Sequence, residues 1–186
     1  MNDELRPAEH IVMETAEEPA EQPAISDMQA QRALETFRSE QNLVMGTLAG
    51  FIAAVAGASI WAGVTVMTEY QIGWMAIGIG LLIGFAVRFT GKGINPTYGV
   101  VSGALALLGC VLGNVLTITY YVAVNQEMAY MDILTQLNYP IIVEMLTATF
   151  EFIDVLFYGL AVYFGYKYAF RQISEEDLNR ALGKAM

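Results

Sequence analysis

The chain of 186 residues has one cysteine, Cys110, and one histidine, His10. A lone cysteine closes no internal disulfide, and one cysteine with one histidine cannot furnish a zinc site. Charge is scarce as well. Only 15% of the residues are charged, against roughly 25% in an ordinary soluble domain. Basic residues are the scarcer sign, 9 Lys and Arg against 19 Asp and Glu. A net charge of −10 argues against nucleic acid as a partner, since phosphates are neutralised by Lys and Arg. The first residues are acidic and polar where a secretory leader is basic and then apolar, so no cleavable signal peptide is expected.

Apolar residues fill the gap, at 55% of the chain. Between residues 43 and 87 the only charge is Glu69. A membrane helix needs about 20 predominantly apolar residues to cross about 30 Å of hydrocarbon. Four stretches fit: about 43–67, 72–89, 98–124 and 149–170. The fourth is aromatic and carries Glu151 and Asp154 in its first two turns. The expected class is therefore an all-α membrane protein with four transmembrane helices in two hairpins, within a domain over residues 42–171.

Basic residues orient the spans, because Lys and Arg resist translocation. Arg32 and Arg38 precede the first span. Arg88 and Lys92 follow the second. Lys167, Arg171, Arg180 and Lys184 end the fourth. The other two connections hold Glu69, Glu127, Asp132 and Glu144 and no Lys or Arg. Four spans place every basic residue on one side, and three or five would split them. Both termini are thus expected in the cytoplasm. Tyr70, Trp74, Tyr120 and Tyr121 mark the outer interface, and Tyr163, Tyr166, Tyr168 and Phe170 the inner one.

Residues 1–26 read as a disordered acidic tail, too polar and Pro-interrupted to bury a core. Residues 27–41 place Ala30, Ala33, Leu34 and Phe37 on one helical face, with Ser26 and Gln29 at capping-box spacing. Within 172–186, Ser174 and Asp177 repeat that spacing, Ile173 and Leu178 form a hydrophobic staple, and Gly183 is a natural stop. Both flanking helices are expected on the inner membrane surface or on each other. In the long outer connection, Met128, Met131, Ile133, Leu134 and Leu137 imply a short interfacial helix. Pro140 breaks it before Ile141, Ile142 and Val143, which are too few to span.

Lipid gives helices no hydrophobic reason to associate, so close packing through small residues matters. Gly46, Gly50 and Gly57 line the first span, Gly80 and Gly84 the second, and Gly99, Gly103 and Gly113 the third, where Cys110 is one more small residue. The expectation is a tight three-helix core with the bulkier fourth helix packed less closely, and a stripe left over for self-association. Gly78-Ile79-Gly80 is no phosphate loop, since it lies inside an apolar span with no Lys-Ser/Thr after it. Gly91-Lys92-Gly93 is the turn between two helices.

The stretch from Tyr70 to Gly80, with Gly84, Arg88 and Gly91-Lys92-Gly93, and the stretch from Leu108 to Asn114 resemble a group of small glycine-rich bacterial inner-membrane proteins of unassigned function. The resemblance covers about residues 43–125. It implies a bacterial cytoplasmic-membrane location and brings no activity and no catalytic residues.

Ionisable groups within a bilayer are functional candidates by default. Here they are Glu151 and Asp154, with Glu144 just before them and Asn114, Thr117 and Thr119 at similar outward depth. Glu144 and Glu151 share a face if one helix runs through both. Asn114 is placed to hydrogen-bond across to Glu151 or Asp154 as interhelical glue. The acids either cap the positive end of the fourth helix or form a site for a cation or proton. Nothing supplies a nucleophile, metal ligands or a cofactor motif, so no enzyme and no cofactor are expected. The leading expectation is a non-catalytic membrane subunit or scaffold. It would act through helix contacts with itself or another membrane protein in the lipid bilayer. The alternative is a small oligomeric channel or transporter for a cation or proton, with the acids near its outer mouth.

Overall fold

The computed structural model describes residues 26–183. Residues 1–25, with His10, and residues 184–186 lie outside the described part. Eight helices and no strand make up the described residues: α1 (Asp27–Ser39), α2 (Leu43–Thr68), α3 (Trp74–Gly91), α4 (Pro96–Asn125), α5 (Tyr130–Gln136), α6 (Tyr139–Thr149), α7 (Phe152–Tyr168) and α8 (Glu175–Gly183).

Short polar residues start these helices by supplying acceptors to the free backbone donors of the first turn. Ser26 Oγ takes the Gln29 N–H while Gln29 Oε1 takes the Ser26 N–H. Ser174 and Asp177 repeat the box at α8. Asn42 Oδ1 accepts from Met45 N–H and Asn138 Oδ1 from Ile141 N–H. Pro96 opens α4 and Pro140 opens α6, each in the first turn, where a missing N–H is harmless. The Pro140 stretch is therefore a helix of its own. The connection between α4 and α7 holds two helices rather than one.

Three helices, α2, α3 and α4, are long and apolar enough to cross a membrane, as in a multi-pass membrane protein. The expected fourth stretch over 149–170 is not a fourth such helix. Thr149 ends α6, Phe150 and Glu151 are extended, and α7 keeps 17 residues, a rise of about 26 Å. The cause is local. Asp154 Oδ2 accepts the Glu151 N–H at 2.9 Å, which fixes a new helix start at Glu151. Glu144 is thereby parted from Glu151, and the face they were expected to share does not exist.

The long helices form a rhombus. α2 packs on α3 and α4, α7 packs on α3 and α4, and α3 touches α4 across the short diagonal. The fourth helix is not packed loosely as expected, because half of the eight packing glycines face α7. A Cβ on Gly80 would run into the Ala161 carbonyl, and one on Gly84 would lie 3.0 Å from Tyr168 Cβ. One on Gly99 would lie 2.6 Å from Tyr166 Cδ2, and one on Gly103 3.3 Å from Val162 Cγ1. The rest of the stripes serve α2. Gly46 meets Gly91, Gly50 meets Val87 and Leu105, Gly57 meets Ile79, and Gly113 meets Trp61. All eight glycines are thus spent inside the chain, and none of these stripes is left over. Cys110 is buried with them.

At one end of the bundle α1 lies on α8, with Ala33, Phe37 and Ala181 buried between them. Arg171 ties this layer together. It pairs with Glu40 at 2.8 Å and Asp177 at 3.3 Å, and its guanidinium lies 4.9 Å from the centre of the Phe37 ring. Of the two positions expected for the flanking helices, the structure has them on each other.

Candidate functional site

The other end carries the polar groups. Gln71, in the connection before α3, donates from Nε2 to Asn114 Oδ1 on α4 at 3.1 Å. Asn114 Nδ2 in turn donates to the Tyr158 hydroxyl on α7. Asn114 and Tyr158 are both buried. The relay Gln71–Asn114–Tyr158 therefore joins three elements at one level. In an apolar surrounding each of these groups would be costly without its partner.

Asp154 is one helical turn before Tyr158 and only 8% exposed. It lines a cavity of about 180 Å³ together with Gln71, Gly73, Thr149, Glu151 and Phe157. Glu151 is exposed at its mouth. No basic side chain of the described residues pairs with Asp154. The ion pairs of Arg171 and Arg180 lie at the opposite end. Among the described residues no three His, Cys, Asp or Glu side chains come together. The donor set is two carboxylates, an amide and a hydroxyl.

The backbone adds to this set. α6 ends at Thr149 and α7 starts at Phe152, so the final carbonyls of one helix and the first N–H groups of the next converge at the break. The N-terminus of α7 offsets part of the Asp154 charge, and the C-terminus of α6 opposes it. The chain reaches this break by doubling back. Gln71 sets the start of α3 level with Asn114, and α4 continues to Asn125, about 16 Å further. α6 returns along α4, with Leu146 and Phe150 sharing an apolar groove with Val111 and Tyr158.

Of the expected site residues, Glu151 and Asp154 come together and Asn114 lies one partner away. Glu144 is exposed on α6 and does not line the cavity. Asn114 does not bond Glu151 or Asp154 as expected, because Tyr158 and Gln71 reach it first. Thr117 and Thr119 turn their hydroxyls to Gly113 and Val115 carbonyls within α4. Gln71, Thr149 and Tyr158 were missed. Tyr158 had a readable signal, since it stands four residues after Asp154 and so on the same face. Gln71 had none, because its contact bridges 43 positions of sequence.

No family model matches the chain, and searches of curated proteins and of solved structures find no similar protein.

Proposed function

We propose that this chain is a small membrane protein that admits a monovalent cation or a proton at the break between α6 and α7, as a channel or transporter. The observation that carries the reading is Asp154, a buried carboxylate with no basic partner among the described residues, beside a polar cavity at a helix break. Within a bilayer such breaks are tolerated where they line a cavity, and helix C-termini and unwound carbonyls suit cations. Two carboxylates without a third acidic or imidazole ligand are too few for a tight divalent site.

The reading takes α7 as a fourth crossing, with α6 leading into it. The packing of α1 on α8 favours an even number of crossings, since the chain then starts and ends on one side. The distribution of basic residues favours the cytoplasm for that side, and the sequence resemblance implies a bacterial inner membrane. Glu151 and Asp154 then face outward, towards the cation source.

The test is ion and proton flux into liposomes containing the purified chain. Flux that disappears with Asp154→Asn and falls with Glu151→Gln is the expected result. The Asn amide oxygen can still accept the Glu151 N–H, so the helix start is retained. Unchanged flux in the double variant would sink the reading.

A non-catalytic subunit acting through helix contacts is the second reading. It is favoured by a different observation. A Cβ on Gly63, Gly78 or Gly159 would meet nothing within 4 Å beyond its own helix turn, and an apolar groove runs past Ala62, Gly63, Val66 and Leu116. Gentle extraction with identification of co-purifying chains separates the two, because a stable hetero-complex would favour the subunit.

A further inference from the structure

A second polar cavity lies at the opposite end from Glu151 and Asp154, between α1, the last turn of α3 and α8. Its volume is about 380 Å³, and Arg88, Lys92, Arg171 and Arg180 line it with only Glu40 and Asp177 as acids. Arg171 is committed to Glu40 and Asp177, and Arg180 pairs with Glu176 at 2.9 Å. Arg88 and Lys92 form no ion pair among the described residues. The C-terminus of α3 offsets roughly half a charge. With Glu176 counted, the four cations meet three carboxylates, so about half a positive charge remains after the helix end, beside a partly enclosed space where Arg88 and Lys92 are themselves unpaired among the described residues.

We propose that this pocket binds the phosphate of an anionic phospholipid headgroup, with Arg88 and Lys92 as its ligands. Phosphate is the chemistry that two adjacent cations and the neighbouring Gln172 amide would recognise. Position decides for a lipid over a soluble anion. Arg88 and Lys92 stand where the apolar exterior of α3 stops. Phe89 between them is 70% exposed, stacks on Phe85, and lies 5.7 Å from the Arg88 guanidinium. The pocket thus opens beside an apolar helix face at headgroup level, where cationic pockets between helix ends hold anionic lipids. Lys92 is also held at φ 49°, a left-handed conformation that is unfavourable for a residue with a Cβ. Glycine is the ordinary residue at that helix end, yet here a lysine stands between two glycines.

The test compares the full chain in phosphatidylcholine nanodiscs with and without phosphatidylglycerol, reading retained lipid by native mass spectrometry after gentle extraction. Preferential retention of the anionic lipid is expected. In Arg88→Gln with Lys92→Gly it should fall about thirtyfold, at about fivefold per cation. Lys92→Gly suits the backbone better than lysine does, so loss of lipid there is not loss of fold. Arg38→Gln, a cation outside the pocket, should change nothing. Equal retention of both lipids, or indifference to the double variant, would overturn the proposal. Displacement of the lipid by millimolar inorganic phosphate would assign the pocket to a soluble anion instead and overturn its lipid source. None of these outcomes bears on cation flux, so this inference and the proposed function fail separately.

Discussion

At the residue scale the two ends of the molecule use carboxylates in opposite ways. Asp177 is exposed enough to stay solvated and is surrounded by donors. The Ser174 backbone N–H, the Arg171 guanidinium and the Ser174 hydroxyl hold its carboxyl below the usual range. A carboxyl lowered in the folded state stabilises above its unfolded value, near 4. That contribution is lost as pH falls through the lower folded value. Docking of α8 on α1 is therefore expected to hold from neutral pH to about 4 and to weaken below it. Hydrogen exchange of the α8 amides checks this, and Asp177→Asn should remove the pH dependence. Asp154 has no such ring of donors. It accepts one N–H bond, from Glu151, and no basic side chain of the described residues pairs with it. That contrast is why Asp154, and not Asp177, is the residue on which the flux experiment turns.

At the scale of elements, α7 decides the bundle. It sits on the glycines of α3 and α4, where a methyl group would strike the Ala161 backbone at Gly80 and the Tyr166 and Phe170 rings at Gly99. Gly80→Ala is expected to cost about 1–3 kcal/mol through the clash with the Ala161 carbonyl. Gly78→Ala, two residues away and in open space, should cost less than about 0.5 kcal/mol. Unfolding of both variants in detergent gives the comparison, and equal losses would remove the α3–α7 contact as the cause. The element starts were readable beforehand. Ser26 with Gln29, Ser174 with Asp177, and the limits of α2 near Leu43 follow from residues within a turn of each other. The break at Phe150 was not readable, because Thr149-Phe150-Glu151 holds no proline or glycine to stop a helix. Only the Asp154 side chain folding back onto the Glu151 N–H separates α6 from α7.

At the scale of the whole molecule, the charge pattern and the packing of α1 on α8 meet in one expectation. Single cysteines at Ser39→Cys and Ser174→Cys should react with an impermeant maleimide from the same side of the membrane. One at Gln136→Cys should react from the other. Cys110 is fully buried and should stay silent as the background. If the first two label from opposite sides, α7 does not cross and the proposed four-crossing topology fails. The same arrangement keeps the cavity lined by Asp154 and the pocket lined by Arg88 and Lys92 at opposite ends. Each can then be altered without touching the other.

The sequence by itself determined what depends on near neighbours and on composition. These are the apolar runs of α2, α3 and α4, the helix caps, and the glycines that close packing would need. They were legible because hydropathy and capping act over a few residues. Only the tertiary structure decided which helix each glycine would receive, that α7 rather than a second copy fills the stripes of α3 and α4, and that Gln71 would meet Asn114. Small residues mark a surface that permits close approach, but they do not encode the partner. The choice among helices is made by shape and by the polar contacts of residues far apart in the chain.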